Sequence, residues 1–249
     1  MSAAISPFEA TCSVRTKGAA RLTFVRDGSL SRLDKLYHAA PLRVLFPRPH
    51  DPGVPTAVLV TTSGGLVGGD CLDIAVVTCA DARALVTTQA AEKIYRSAAQ
   101  TCHVRVLLDA GSNSWLEWLP NETIVFDAAR LRRTTRVSLD EAAGLLAGEI
   151  VVFGRRARGE RLASGLVHDA WEIRRNGRLV WTDAFRLDRD LTEVQASVAC
   201  LDGAAAAGTI VCFAASPRDI LALVRGLGEE LERGDIRIGT PQKFARHLQ

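Results

Sequence analysis

Residues 171–181 read WEIRRNGRLVW and carry the clearest secondary-structure signal of the sequence. Its central Asn-Gly dipeptide favours a two-residue type I′ turn, because both turn positions need a positive φ. Apolar residues stand on either side of the turn, with Trp171 and Ile173 before it and Leu179 and Trp181 after it. The pattern therefore predicts a β-hairpin that holds these four side chains on one buried face.

Strand patterns also extend outward from this hairpin. Near the N-terminus Leu22 and Phe24 face one way while Arg21 and Thr23 face the other, which is the period of a half-buried strand. Similar short runs, separated by Gly, Pro, Asp and Ser, occupy residues 42–46, 57–62, 72–78, 84–88 and 103–108. We expect a mainly β protein with many short strands in one sandwich-like or β-helix-like body.

One clear helix is predicted close to the C-terminus. Ser216 supplies an N-cap and Pro217 a first helical residue, and Gly234 ends the pattern. Apolar residues recur between them at helical spacing, at Ile220, Leu223, Val224, Leu227 and Leu231. The sequence shows no repeat or linker, so residues 1–249 are predicted to form a single domain.

Composition and charge exclude several classes of protein. The 249 residues are 47% hydrophobic and 24% charged, with a formal net charge of +3, which is ordinary for a globular chain and argues against disorder. No face is basic enough to predict nucleic-acid binding. We interpret the densest cationic cluster as solvated strand and turn residues, or else as a docking surface for an acidic partner; it comprises Arg130, Arg132, Arg133, Arg136, Arg155, Arg156, Arg158 and Arg161.

The chain is expected to reside in the cytoplasm, away from membranes. Its opening residues show no secretion leader. The weakly polar run at residues 196–216 is rich in Ala and contains a turn, so it predicts two buried strands rather than a membrane span. Six cysteines without C-x-x-C spacing predict reduced, mostly core thiols and no zinc knuckle.

The most conspicuous local motif is GGLVGGD at residues 64–70. A phosphate-binding loop would need a following helix, whereas residues 72–78 alternate as a strand, so a tight connection between strands is the better interpretation. Asp70 is then a turn-capping or a metal-contacting carboxylate. There is no nucleophile elbow, and chemistry alone leaves a carboxylate site on a β scaffold as a possible catalytic centre.

Five segments taken together resemble the urease accessory protein UreD (UreH) family. They are PLRVLFP, GGLVGGD, TTQAAEKIYRS, LEWLPNETIVF and EIVVFGR followed by GE, at residues 41–47, 64–70, 87–97, 116–126 and 149–160. The resemblance covers roughly residues 20–235, and residues 236–249 depart from the family pattern.

The resemblance implies a mainly β body and a non-enzymatic role in maturing the nickel centre of urease, in a complex with UreF, UreG and the urease structural subunits. It also implies transient rather than tight Ni²⁺ binding, with no other cofactor, and an internal passage for the metal. Of the residues in the matching segments, Asp70 and Glu149 are the leading candidates for such a route; weaker ones are Glu92, Glu122 and Glu160.

A separate physical argument supports carboxylates, since a carrier must hold Ni²⁺ and release it, and oxygen donors suit transfer better than a closed thiolate cage. Two other classes stay open. One is a β-scaffold hydrolase or lyase with a carboxylate site, and the other is an interaction module without metal.

Overall fold

The structure, a computed structural model, describes residues 15–188 and 191–214. Within these residues the chain forms fifteen strands, one short α-helix, α1 (Leu191–Ala196), and a 3-10 turn at Arg156–Arg158. The strands are β1 (Lys17–Asp27), β2 (Leu30–Ala39), β3 (Leu42–Leu45), β4 (Thr56–Thr61), β5 (Cys71–Thr78), β6 (Arg83–Thr88), β7 (Glu92–Ile94), β8 (Cys102–Ala110), β9 (Trp115–Leu119), β10 (Thr123–Val125), β11 (Arg130–Leu139), β12 (Gly144–Phe153), β13 (Leu166–Arg175), β14 (Arg178–Leu187) and β15 (Ala206–Phe213). The prediction of a mainly β protein is confirmed.

The strands form two sheets that enclose one core. The first sheet has the order β14-β13-β11-β8-β5-β1-β2, and the second has the order β3-β4-β6-β9-β12-β10-β7, with β15 paired to β12. The chain passes repeatedly from one sheet to the other and back, so β5, β8, β11 and β13 are parallel neighbours. Strands β6, β9 and β12 are likewise parallel neighbours in the second sheet. This is a β-solenoid-like arrangement, in agreement with the β-helix-like prediction.

Period-two alternation explains why the strands bury one face. In β1, Leu22 and Phe24 are buried whereas Arg21 is exposed, as the sequence predicts. The inner faces of the two sheets pack against each other, and Trp118 and Phe153 are among the largest fully buried side chains. Burial of such side chains is the main contribution to stability, at about 25 cal/mol per Å² of apolar surface.

The glycine motif is the predicted tight connection between strands. Gly65 has φ +143°, and a Cβ added there would lie 2.9 Å from the carbonyl oxygen of Lys93. The neighbouring Leu66 donates its N–H to that same carbonyl at 2.7 Å. The loop therefore lies directly against the chain that carries β7, and β5 follows it instead of a helix.

The hairpin is confirmed with one correction. Asn176 and Gly177 have φ of +48° and +76°, as a type I′ turn requires. Ile173 pairs with Trp181, but the register then shifts, so Leu179 lies opposite exposed Arg174. Leu179 is 51% exposed, and its predicted burial is wrong because this bulge turns it to the outer face.

Two other predictions concern the end of the chain. The predicted helix from Ser216 to Gly234 lies outside the described residues. In the part of residues 196–216 that the structure describes there is one strand, β15, which is half-exposed, so the prediction of two buried strands is wrong there. Of the described residues, none belongs to a helix long and apolar enough to cross a membrane.

Candidate functional site

Three charged side chains lie in the core between the two sheets. Arg133 on β11, Glu149 on β12 and Asp169 on β13 are only 5%, 2% and 6% exposed. Each occupies an inward position of a strand whose other inward positions are mostly apolar. We call these three residues the buried charge cluster.

Arg133 makes three side-chain hydrogen bonds, two of them to Asp169 on the neighbouring strand of the same sheet. Its Nε and Nη2 donate to the two carboxylate oxygens of Asp169 at 3.0 and 2.5 Å. Its Nη1 donates to Thr123 Oγ1 at 3.0 Å. Strands β11 and β13 are parallel neighbours with Arg133 directly opposite Asp169, so the sheet register produces this two-point contact.

Glu149 reaches the cluster from the opposite sheet. Its Oε1 accepts hydrogen bonds from Trp118 Nε1 at 3.1 Å and from Thr135 Oγ1 at 2.9 Å. Its Oε2 makes an ion pair with Arg133 and no further hydrogen bond among the described residues. The cluster therefore connects the two sheets through one guanidinium group.

The electrostatics of the cluster are unbalanced, because two carboxylates share one cation. Burial raises the pKa of Glu149, although the charge of Arg133 and the two neutral donors act in the opposite direction. Burial acts to lower the pKa of Arg133, but the charges of Glu149 and Asp169 outweigh it and the pKa is raised. Arg133 therefore stays charged, with Glu149 and Asp169 both as ion-pair partners.

An internal cavity of about 60 Å³ adjoins the cluster. At about 15 Å³ for each water molecule, this volume has room for roughly four. Its polar lining includes Glu92, Asn121, Arg133 and Glu149, and much of the rest is aliphatic. Since Asn121 is exposed while Arg133 and Glu149 are buried, the cavity extends from the surface into the space between the sheets.

Glu92, at the start of β7, is half-buried and also lines this cavity. Its Oε2 accepts a hydrogen bond from Thr61 Oγ1 at 2.5 Å and its Oε1 one from the N–H of Lys93 at 3.1 Å. Burial raises the pKa of Glu92 more than these contacts lower it. The cavity thus brings together two of the five predicted carboxylates, Glu92 and Glu149.

Of the two roles that the sequence suggests for Asp70, turn capping and metal contact, the structure shows turn capping. It is 5% exposed, its Oδ1 accepts the N–H of Thr16 at 2.9 Å and its Oδ2 accepts that of Val67 at 2.9 Å. Both oxygens therefore have a structural partner, and Asp70 does not line the cavity.

The two remaining candidates also lie away from the cavity lining. Glu160 accepts the N–H of Asp127 at 2.8 Å and pairs with Arg155. Burial acts to raise the pKa of Glu160, but these contacts prevail and lower it. Glu122 is half-buried, and its backbone carbonyl accepts the N–H of Glu92 at 2.9 Å.

The donor set of the cavity favours a hard or borderline cation held loosely. Glu92 and Glu149 supply carboxylate oxygens, and Asn121 and nearby threonines supply neutral ones. Among residues 15–188 and 191–214, three or more His, Cys, Asp or Glu side chains nowhere converge as they would in a closed metal centre. The arrangement can therefore admit a cation without completing its coordination shell.

Sequence reasoning missed Arg133 and Asp169. Arg133 belongs to the arginine cluster interpreted as solvated, and that interpretation is wrong for this residue, which is buried and paired. The signal was present, since Leu131, Arg133, Val137 and Leu139 share one parity on β11. A charge at an inward position of an apolar strand marks a buried polar site.

Comparison with known proteins gives a consistent result. Residues 16–243 match the family model described as "UreD urease accessory protein". The chain is 47% identical over 226 residues to the urease accessory protein UreD of Magnetococcus marinus, covering 90% of this chain and 78% of that protein. It is 43% identical over 248 residues to that of Bradyrhizobium diazoefficiens, covering 98% of this chain and 87% of the relative.

Proposed function

The chain belongs to the UreD family of urease accessory proteins, and from that premise we propose that it is a non-enzymatic scaffold for maturing the nickel centre of urease. In this proposal it acts in the cytoplasm, in a complex with UreF, UreG and the urease structural subunits. Ni²⁺ passes through it as cargo, so binding is transient and no cofactor is retained.

The single observation that supports this role is the cavity that half-buried Glu92 and buried Glu149 both line. Two carboxylates in a largely aliphatic lining attract a divalent cation, and the scarcity of other charged ligands lets the cation leave. A closed set of four protein ligands would instead retain the metal. The geometry therefore suits transfer better than storage.

The cavity also ranks the predicted carboxylates for this role. Glu92 and Glu149 come first because they line the same space. Asp70, Glu122 and Glu160 come second, since none of the three lines the cavity.

The test is co-expression of the chain with urease and its other accessory proteins, followed by measurement of urease nickel content and of complex assembly. We expect Glu92→Gln and Glu149→Gln each to lower the nickel content while the complex still co-purifies. Glu141→Gln, which changes an exposed turn carboxylate, is the matched control and should leave the nickel content unchanged.

Other outcomes would select the alternatives. Full nickel content in the Glu92→Gln/Glu149→Gln double variant would contradict a passage through this cavity and favour a metal-independent interaction module. Turnover of a substrate by the isolated chain, lost in the same variant, would favour a hydrolase or lyase with a carboxylate site.

A further inference from the structure

The buried charge cluster contains a surplus carboxylate on the side that faces the cavity. Glu149 and Arg133 line the cavity, whereas Asp169 does not. Of the two oxygens of Glu149, Oε1 is occupied by neutral donors, and Oε2 makes only the ion pair with Arg133. One buried carboxylate oxygen beside the cavity thus depends on the position of a single guanidinium group.

Arg133, in contrast, has other partners besides Glu149. Asp169 accepts from two of its nitrogens and Thr123 from the third. If Oε2 of Glu149 turned to another cation, each of the three nitrogens of Arg133 would keep one acceptor. A buried charge that loses its last partner is strongly destabilised, and this arrangement avoids that loss.

We propose that Arg133 is a displaceable counter-cation, which neutralises Oε2 of Glu149 when the cavity holds no metal and yields that oxygen to a passing divalent cation. Arg133 is a positioning residue in this scheme and Asp169 is its anchor. The inference rests on the proposed passage of Ni²⁺ through the cavity, and it specifies how that passage is regulated.

The consequence is a site that exchanges its cation readily. The net charge of the cluster, one guanidinium against two carboxylates, attracts a cation into the space between the sheets. The nearby guanidinium repels the same cation, and such repulsion is strong between the sheets, where the effective dielectric is low. Arg133 therefore sets the affinity low enough for release.

The experiment measures the melting temperature of the purified chain as NiCl₂ is added, with MgCl₂ in parallel. A ligand that prefers the native state raises the melting temperature. In Arg133→Met the competitor is absent, and we expect Ni²⁺ to bind at least about tenfold more tightly than in the wild type. Adding Glu149→Gln to this variant should remove the gain. Arg133→Lys keeps the charge and should respond like the wild type.

Arg133→Met is expected to lose stability because it leaves two buried carboxylates without a cation, so a second variant carries the same test. Arg133→Gln with Asp169→Asn removes the competitor and its anchor together and leaves the net charge of the cluster unchanged. It too should bind Ni²⁺ at least about tenfold more tightly than the wild type.

The proposal is overturned if the purifiable variant that lacks Arg133 responds to Ni²⁺ no more than the wild type. It is also overturned if adding Glu149→Gln leaves the response of that variant unchanged, because the metal would then bind elsewhere. Urease plays no part in this measurement. An unchanged urease nickel content with a confirmed Ni²⁺ response would therefore contradict the proposed function and not the exchange between Arg133 and the cation.

Discussion

The most specific prediction concerns the order of stability among variants of the buried charge cluster. Arg133→Met leaves Glu149 and Asp169 buried without a cation, and removing one partner of a buried ion pair costs about 3–5 kcal/mol. Glu149→Gln leaves Arg133 with both oxygens of Asp169 and with Thr123. Its cost is that of one weakened contact, about 1–2 kcal/mol. Counting partners therefore predicts that the arginine variant is the less stable of the two.

Thermal unfolding of the purified chain, followed by circular dichroism without added metal, measures this order. For a chain of this size 1 kcal/mol lowers the melting temperature by about 2–4 °C, so Arg133→Met should lower it by roughly 6–20 °C. Arg136→Met is the matched control, because the side chain of Arg136 lies on the same strand and is 64% exposed. An exposed ion pair contributes little, and the control should change stability by less than about 1 kcal/mol.

The reasoning is refuted if Glu149→Gln destabilises the chain as much as Arg133→Met does. In that case Arg133 would depend on Glu149, and Asp169 with Thr123 would not suffice to hold it. Equal loss in Arg136→Met would likewise show that burial of Arg133 does not decide the outcome.

Two further predictions concern buried titratable groups. Burial raises the pKa of Glu92 more than the Thr61 hydroxyl and the Lys93 N–H lower it, so the stabilising contribution of Glu92 is present below its unfolded pKa of about 4.3 and is lost as pH rises through the folded value. The melting temperature of Glu92→Gln relative to wild type should therefore rise between about pH 4 and neutral pH. A difference that does not change with pH would contradict this prediction. Burial also raises the pKa of Cys102 to about 12. In mildly alkaline buffer iodoacetamide should therefore modify exposed Cys200, whereas Cys102 should react only after unfolding, and peptide mass spectrometry measures both. Equal labelling of the two thiols in the folded chain would disprove this prediction.

Much of the strand content was predictable, because it depends on local alternation. The runs at residues 42–46 and 72–78 each coincide with a strand to within one residue at either end. The run at 103–108 also coincides with a strand, which begins one residue earlier and ends two residues later. What alternation cannot supply is the pairing of strands that are distant in sequence. The contact between Arg133 and Asp169 exists because β11 and β13 are parallel neighbours in a particular register, and no local pattern encodes that register.

The site was predictable only in part, for a related reason. Glu149 is a leading candidate from the sequence because it lies in a segment that resembles the family, and the structure buries it beside the cavity. The charge of Arg133 favours a solvated position, whereas its parity on β11 places it on the inward face, and the structure follows the parity. At Leu179 the alternation predicts the wrong face, since the bulge at Val180, after the turn, reverses which face Leu179 occupies.

The three interior ions also bear on how the chain finds its correct stacking. Successive turns of the solenoid present similar apolar faces. A slip of two residues between neighbouring strands would therefore keep the apolar face inward and cost little free energy. Such a slip would separate Arg133 from Asp169 or Glu149 and leave a buried charge without a neutralising partner. The three charged side chains therefore favour the correct strand register and destabilise misaligned pairings. Substituting them should yield more misfolded chains even where the folded protein tolerates the substitution.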